Sequence, residues 1–137
     1  MQDELLMEIR IRCDEPVSVK GTEKQIVMIP FTGETSGPYF SGHVVGTGVD
    51  TQTIGKDGKA FLSARYMLEG DDAAGSPCRI FVENQGSWDT GFAPKVVTDS
   101  PLLAGWEKAE LSADVEVIPE GVMIRILRKV LEGNFIQ

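Results

Sequence analysis

A chain of 137 residues with 42% hydrophobic and 25% charged side chains has the composition of one globular domain and hardly the length for two. Its 13 Lys plus Arg against 21 Asp plus Glu leave a net charge of −8. That balance argues against general nucleic-acid binding and against attraction to anionic membranes, both of which need a positive surface.

In chain order, the organising signal is period-two alternation punctuated by glycine turns. Leu5, Met7, Ile9, Ile11 and Cys13 alternate with Leu6, Glu8, Arg10 and Arg12, the pattern of a half-buried strand that Asp14-Glu15-Pro16 ends. Gln25 to Phe31 is apolar almost throughout and predicts a second strand, after which Gly33, Gly37 and Pro38 mark a loop. Tyr39 to Val45 and Val49 to Ile54 are the next two strands, separated by Gly46 and Gly48. Asp57-Gly58 is a hairpin signal leading into Ala60 to Glu69. In that strand Leu62, Ala64, Tyr66 and Leu68 share one face, opposite Phe61, Ser63, Arg65, Met67 and Glu69. Cys78 to Asn84 pairs with it across an acidic turn.

The rhythm breaks over residues 85–112, where Gly86, Gly91 and Pro94 predict an irregular excursion. Ser100-Pro101 then reads as an N-cap followed by proline at the first helical position, so one short helix is expected near residues 101–108. Ala113 to Ile118 and Val122 to Lys129 close the chain around the Pro119-Glu120-Gly121 turn. About eight strands joined by short turns, with no βαβ alternation, predict an all-β fold. The expected architecture is a closed antiparallel barrel, a single domain over residues 1–137.

A barrel of about eight strands has an interior that side chains just fill or that holds one small ligand. The inward face of the 60–69 strand carries Tyr66, Asn84 shares a face with Ile80 and Val82, and Asp50 and Gln52 share a face of their own strand. These are the candidate ligand-binding residues, offering a carboxylate, a phenol and two amides. Three of them also have a plainer role. Tyr66 can bond a backbone carbonyl, Asn84 can shape the turn at Gly86, and Asp50 can accept backbone N–H bonds after Gly48. Arg65 alternates with Tyr66 and so points to the other face, where Glu83 is a partner, unless a bulge turns it toward Asp50 and an anionic ligand.

Other chemistry finds little support. The single histidine, His43, reads as a surface or packing residue, and with Cys13 and Cys78 sixty-five positions apart no zinc site of the usual kind is expected. The two cysteines are expected as reduced thiols in the core. No metal or cofactor is predicted. No Lys-Ser/Thr pair or following helix accompanies the glycines of residues 33–48, and Gly-x-Ser-x-Gly is absent. The N-terminus has no basic stretch leading into an apolar segment, and no apolar run nears the ~18 residues of a membrane span, which predicts a cytoplasmic protein without a membrane partner.

A wider pattern comprises Phe31-Thr32-Gly33, Gly37-Pro38, Gly42-His43-Val44, Gly48-Val49-Asp50 and Gln52, followed by Asp57-Gly58, Ala64-Arg65-Tyr66, Leu68, Ile80-Phe81-Val82, Asn84 and Gly86. Together these resemble the domain-of-unknown-function family 3237 over roughly residues 5–130. The resemblance implies a calycin/lipocalin-like barrel that associates as a homo-oligomer. It also implies recurring polar positions at Asp50, Gln52, Arg65, Tyr66 and Asn84. The Ala73-Ala74 pair lengthens the acidic turn relative to that pattern, and residues 87–112 match none of it.

The leading functional expectation is a barrel that binds a small metabolite in its lumen. One alternative is a cofactor-independent isomerase, cyclase or lyase with Asp50 as base and Tyr66 or Arg65 stabilising an oxyanion. Another is an oligomeric scaffold with a filled barrel, associating through Phe61, Phe81 and the tail from Val130 to Gln137.

Overall fold

The computed structural model describes residues 3–130. It contains ten β-strands: β1 (Glu4–Cys13), β2 (Val17–Lys20), β3 (Lys24–Ser36), β4 (Phe40–Val44), β5 (Gly48–Gly55), β6 (Ala60–Asp72), β7 (Pro77–Ser87), β8 (Gly91–Thr98), β9 (Leu111–Ile118) and β10 (Gly121–Arg128). A single turn of 3-10 helix at Ala104–Glu107 is the only helical element among the described residues. Every pairing is antiparallel.

The sheet closes because β1 pairs with both β10 and β3. The ten strands form eight staves. β1 and β2 lie end to end along β3, and β4 and β5 together bridge β3 to β6. The expected closed antiparallel barrel is what the chain forms. Full closure removes the long exposed edges that an open sheet of this length would present. The most sparsely paired seam is β8 to β9, registered only at Phe92 opposite Ala113.

Three local expectations are corrected. The predicted loop at Gly33 is strand, because β3 runs on to Ser36 and Gly33 lies against β1. A β-carbon there would sit 2.4 Å from the Arg10 carbonyl oxygen, so close backbone approach, not a turn, explains this glycine. The irregular excursion begins later than predicted, since Gly91–Thr98 is a regular strand paired with β7. The 101–108 helix shrinks to a turn and the 3-10 segment. Ser100 Oγ accepts from Leu103 N at 3.3 Å and so closes the turn before the 3-10 segment, whose own N-cap, Leu103, has no side-chain cap.

The two ends of the barrel differ. At one end Leu6, Phe40, Leu68, Ile80 and Ile126 pack with Leu103 and Trp106, so residues 99–110 fold back as a plug. Asp72 secures it: its buried carboxylate accepts from Ser100 Oγ at 2.7 Å and from the N–H groups of Ala74 and Ser76 at 3.0 and 3.1 Å. The acidic turn thereby reads as a latch for the plug. The opposite end, ringed by the Gly55–Ala60 and Ser87–Gly91 turns, is not filled.

Candidate functional site

Register places inward-facing residues in rows across neighbouring strands. The row nearest the core contains Phe31, Tyr66, Val82 and Val96, with Tyr66 opposite Val82 and Val82 opposite Val96. Gly48 pairs with Phe31, and a β-carbon on Gly48 would lie 2.6 Å from the Phe31 ring and 2.7 Å from Tyr66 Cβ. Phe31 and Tyr66 therefore meet edge to face, with centroids 5.3 Å apart, and form a floor.

Above the floor runs a row in which Ile29 faces Asp50, Asp50 faces Ala64, Ala64 faces Asn84 and Asn84 faces Pro94. The next row outward contains Gln52, Leu62, Gly86 and Phe92. Ala64 is the small member of the row above the floor, and the space over it belongs to a cavity of about 140 Å³. Its wall includes Asp50, Gln52 and Asn84, together with Phe31, Leu62 and Ile124. Cys13 and Trp88, both exposed, mark the rim, and Trp88 packs edge to face on Phe92 at 5.4 Å. A fully filled barrel is thereby corrected: the lumen is solid at the plugged end and hollow at the other.

The polar groups have distinct states. Gln52 Nε2 donates to Asp50 Oδ2 at 2.9 Å. Burial pushes the Asp50 carboxyl above the usual carboxylate range, and the Gln52 bond draws it part of the way back. Asn84 is 5% exposed, and its Oδ1 is buried without a hydrogen-bond partner. Partial burial and the neighbouring Asp50 push the Cys13 thiol up, which makes it a poor nucleophile.

Of the five residues singled out from sequence, Asp50, Gln52 and Asn84 come together on the cavity wall. Tyr66 points inward but lies in the floor rather than on the wall. Its hydroxyl is buried and has no partner, so the expected bond to a backbone carbonyl is not made. Burial raises this phenol far above its ordinary range. Arg65 is corrected outright as a lumen residue: strict alternation in β6 puts it outside, where Nε donates to Glu83 Oε2 at 2.8 Å. Asn84 is not a turn residue either, since β7 continues past it to Ser87.

Sequence reasoning missed Trp88, Phe92 and Cys13 as cavity residues. The alternation Phe92, Pro94, Val96 on one face of β8 was the available signal, masked by Pro94 and its neighbouring glycines. Cys78 is a core thiol as expected, whereas Cys13 is not. Among the described residues no cluster of His, Cys, Asp and Glu suits a metal ion, and no helix is long and apolar enough to cross a membrane.

Fold and site together define a closed antiparallel barrel with a largely apolar, carboxyl-bearing lumen open at one end. Residues 2–107 match the family model described as protein of unknown function (DUF3237), and the chain belongs to that family. A UPF0311 protein of Clostridium acetobutylicum is 36% identical over 90 residues, covering 63% of this chain and 54% of its own length. The chain thus spans about half the length of that curated relative. A solved structure of a protein of unknown function from Clostridium acetobutylicum is similar with a TM-score of 0.81 at 25% identity, over 93% of this chain and 96% of the other. An enzyme from Penicillium herquei is similar with a TM-score of 0.75 at 17% identity, over 93% and 94% of the two chains, and at that identity the likeness is one of fold alone.

Proposed function

We propose that the protein binds a small molecule at the hollow end of the barrel, with Asp50, Gln52 and Asn84 as its polar contacts and Phe31, Trp88 and Phe92 as apolar ones. The observation that carries this reading is a cavity walled by Asp50, Gln52 and Asn84, the last with a buried Oδ1 that has no hydrogen-bond partner among the described residues. A buried acceptor without a partner costs free energy, and a donor on a bound molecule would recover it. Native mass spectrometry of the protein as purified tests it. A retained mass that disappears on denaturation supports the reading. No retained mass, together with no shift of the Asn84 side-chain resonances on adding small polar and aromatic compounds, overturns it.

A second reading, cofactor-independent isomerase, cyclase or lyase chemistry, is favoured by one observation. The Asp50 carboxyl sits in an apolar cavity with its proton affinity raised, which suits a general base working near neutral pH. Arg65, outside the barrel, and Tyr66, beneath Phe31, are poorly placed to stabilise an oxyanion. The Asn84 amide on the cavity wall is the better donor candidate. Turnover that vanishes in Asp50→Asn while ligand binding persists distinguishes this chemistry from binding alone.

We also infer self-association through the outer face of β2, β3, β5 and β6. Val17, Val19, Met28 and Phe61 are exposed there, and Met28 and Phe61 line a shallow depression with Thr51 and Thr53 whose one charged wall residue, Arg65, is already paired with Glu83. The outer face of β1, β9 and β10 contrasts with it, carrying Arg10, Arg12 and Arg125 in ion pairs with glutamates. An uncharged patch of this kind on an otherwise charged surface marks a contact region. The tail from residue 131, also expected to contribute, lies outside the described residues.

A further inference from the structure

We propose that the lumen takes an uncharged, single-ring molecule carrying a hydroxyl or N–H group, and turns away carboxylates and phosphates. This rests on the reading of the lumen as a binding site and adds the chemical class of its occupant.

Size sets the first limit. The cavity of about 140 Å³ compares with engineered apolar cavities of about 150 Å³ that hold benzene. One ring with a small substituent fills it. The flanking surfaces suit a ring as well. Phe31 forms the floor and the Trp88–Phe92 pair flanks the rim, so a planar apolar body contacts aromatic surface on both sides. Asp50 and Asn84 are separated by Ala64 alone in their row, which puts their backbones about 10 Å apart. A ring lying over Ala64 brings its edge substituent to one or the other.

Charge sets the second limit. Among the described residues no Lys, Arg or His lines the cavity, and Arg65, next to Ala64 in sequence, faces the opposite side of β6 and is paired with Glu83. An anion entering here meets the Asp50 carboxyl with no cation to neutralise it, in a wall that is mainly apolar apart from Gln52 and Asn84. An ammonium group fares little better. It gives up its hydration for one carboxyl whose Oδ2 is already engaged by Gln52.

Hydrogen-bonding capacity sets the third. The Gln52 amide is spent on Asp50, whereas Asn84 Oδ1 is an acceptor with no donor. A phenolic O–H or a ring N–H on the bound molecule supplies the donor that Asn84 Oδ1 is missing.

Titration of the intact protein with toluene, phenol, benzoate and benzylamine, followed by calorimetry, tests the assignment. Phenol should bind roughly tenfold more tightly than toluene, the worth of one buried hydrogen bond. Benzoate should bind more weakly than toluene at neutral pH. Asn84→Leu, which removes the orphaned acceptor at similar volume, should bring phenol and toluene together. Asp50→Asn, which keeps the Gln52 contact, should raise benzoate affinity. Equal binding of phenol and toluene to the unmodified protein overturns the donor requirement. Tighter binding of benzoate or benzylamine than of phenol overturns the preference for an uncharged molecule. Binding of none of the four overturns the lumen itself as a small-molecule site, a failure distinct from the other two.

Discussion

Gln52 reaches back along β5 to donate to Asp50, two positions earlier on the same inward face, at 2.9 Å. The bond holds one carboxylate oxygen and leaves the other toward the cavity. Burial outweighs it, and the Asp50 carboxyl binds its proton more tightly in the folded barrel than in the unfolded chain. The sign follows by linkage. A group with a raised folded pKa contributes stability below its unfolded value and loses it as the pH rises through the folded one. Asp50→Asn should therefore raise the melting temperature at pH 7 by about 1–4 °C. The gain should shrink toward zero as the pH falls into the carboxylate range. Melting curves of both proteins across pH 3–8, at a roughly constant ionic strength, check this; a gain independent of pH sinks the assignment.

Gly48 and Phe31 make a tighter constraint. A β-carbon at Gly48 would stand 2.6 Å from the Phe31 ring, so the ring must move for any larger residue to fit. The floor beneath it is Tyr66, also in contact, which leaves the cavity as the open direction. Gly48→Ala should cost about 1–3 kcal/mol by overpacking and reduce the affinity of any lumen ligand. Urea denaturation together with phenol titration reads both effects. Loss of stability without loss of binding contradicts the route proposed for the ring.

The barrel itself was legible because β6 and β7 alternate cleanly, which also fixes Asp50, Gln52 and Asn84 on inward faces once register is known. β8 was hidden by Pro94, which lacks an N–H to donate. It is tolerated because the adjoining β8–β9 seam pairs sparsely. β2 is only four residues long and follows Pro16, too short for alternation to register. Arg65 shows the opposite lesson. Its alternation with Tyr66 correctly put it outside, and grouping it with the lumen positions followed from resemblance to the family, not from the strand. The cavity could not be read locally at all. Its wall joins Asp50 on β5, Ala64 on β6 and Asn84 on β7, and only tertiary register brings these three together.

The latch at the plugged end gives a second pH signature, opposite in sign to the first. The Ser100 hydroxyl beside Asp72, with two backbone N–H groups, holds this carboxyl below the usual range. Its contribution is present above the unfolded value and lost as the pH falls through the folded one. Asp72→Asn should lower the melting temperature by several degrees at neutral pH and progressively less in acid. Ser100→Ala should follow the same trend with a smaller amplitude. Hydrogen exchange of residues 99–110 locates the effect. Unchanged protection of that segment in Asp72→Asn rules out a latch.

Phe61 is 49% exposed on the uncharged outer face and sits on β6 across from Thr53. Because its side chain leaves the barrel, Phe61→Glu should fold with a melting temperature close to that of the parent under dissociating conditions. It should shift the assembly toward monomer, since a charge at the centre of a self-contact meets its own copy. Light scattering across a hundredfold range of protein concentration, roughly 1–100 μM, gives the subunit number. An unchanged assembly places the contact elsewhere on the barrel.

Tyr66 bears on how the site and the core divide. Its ring meets Phe31 edge to face, and its hydroxyl is buried with no hydrogen-bond partner among the described residues. An unsatisfied buried hydroxyl is a net cost, so deleting the oxygen and keeping the ring should stabilise the protein by about 1 kcal/mol. Tyr66→Phe preserves the edge-to-face contact with Phe31 and leaves the cavity wall untouched. Lumen ligands should therefore bind it as they bind the parent. If Tyr66→Phe instead weakens phenol binding as much as Asn84→Leu does, the hydroxyl reaches the ligand, and the floor must open when the lumen is occupied. Measuring stability and affinity on the same variant separates the two. A stabilised protein with unchanged affinity assigns Tyr66 to the core. A loss of affinity moves it into the site and makes Phe31, which stands between the two, the residue that gates them.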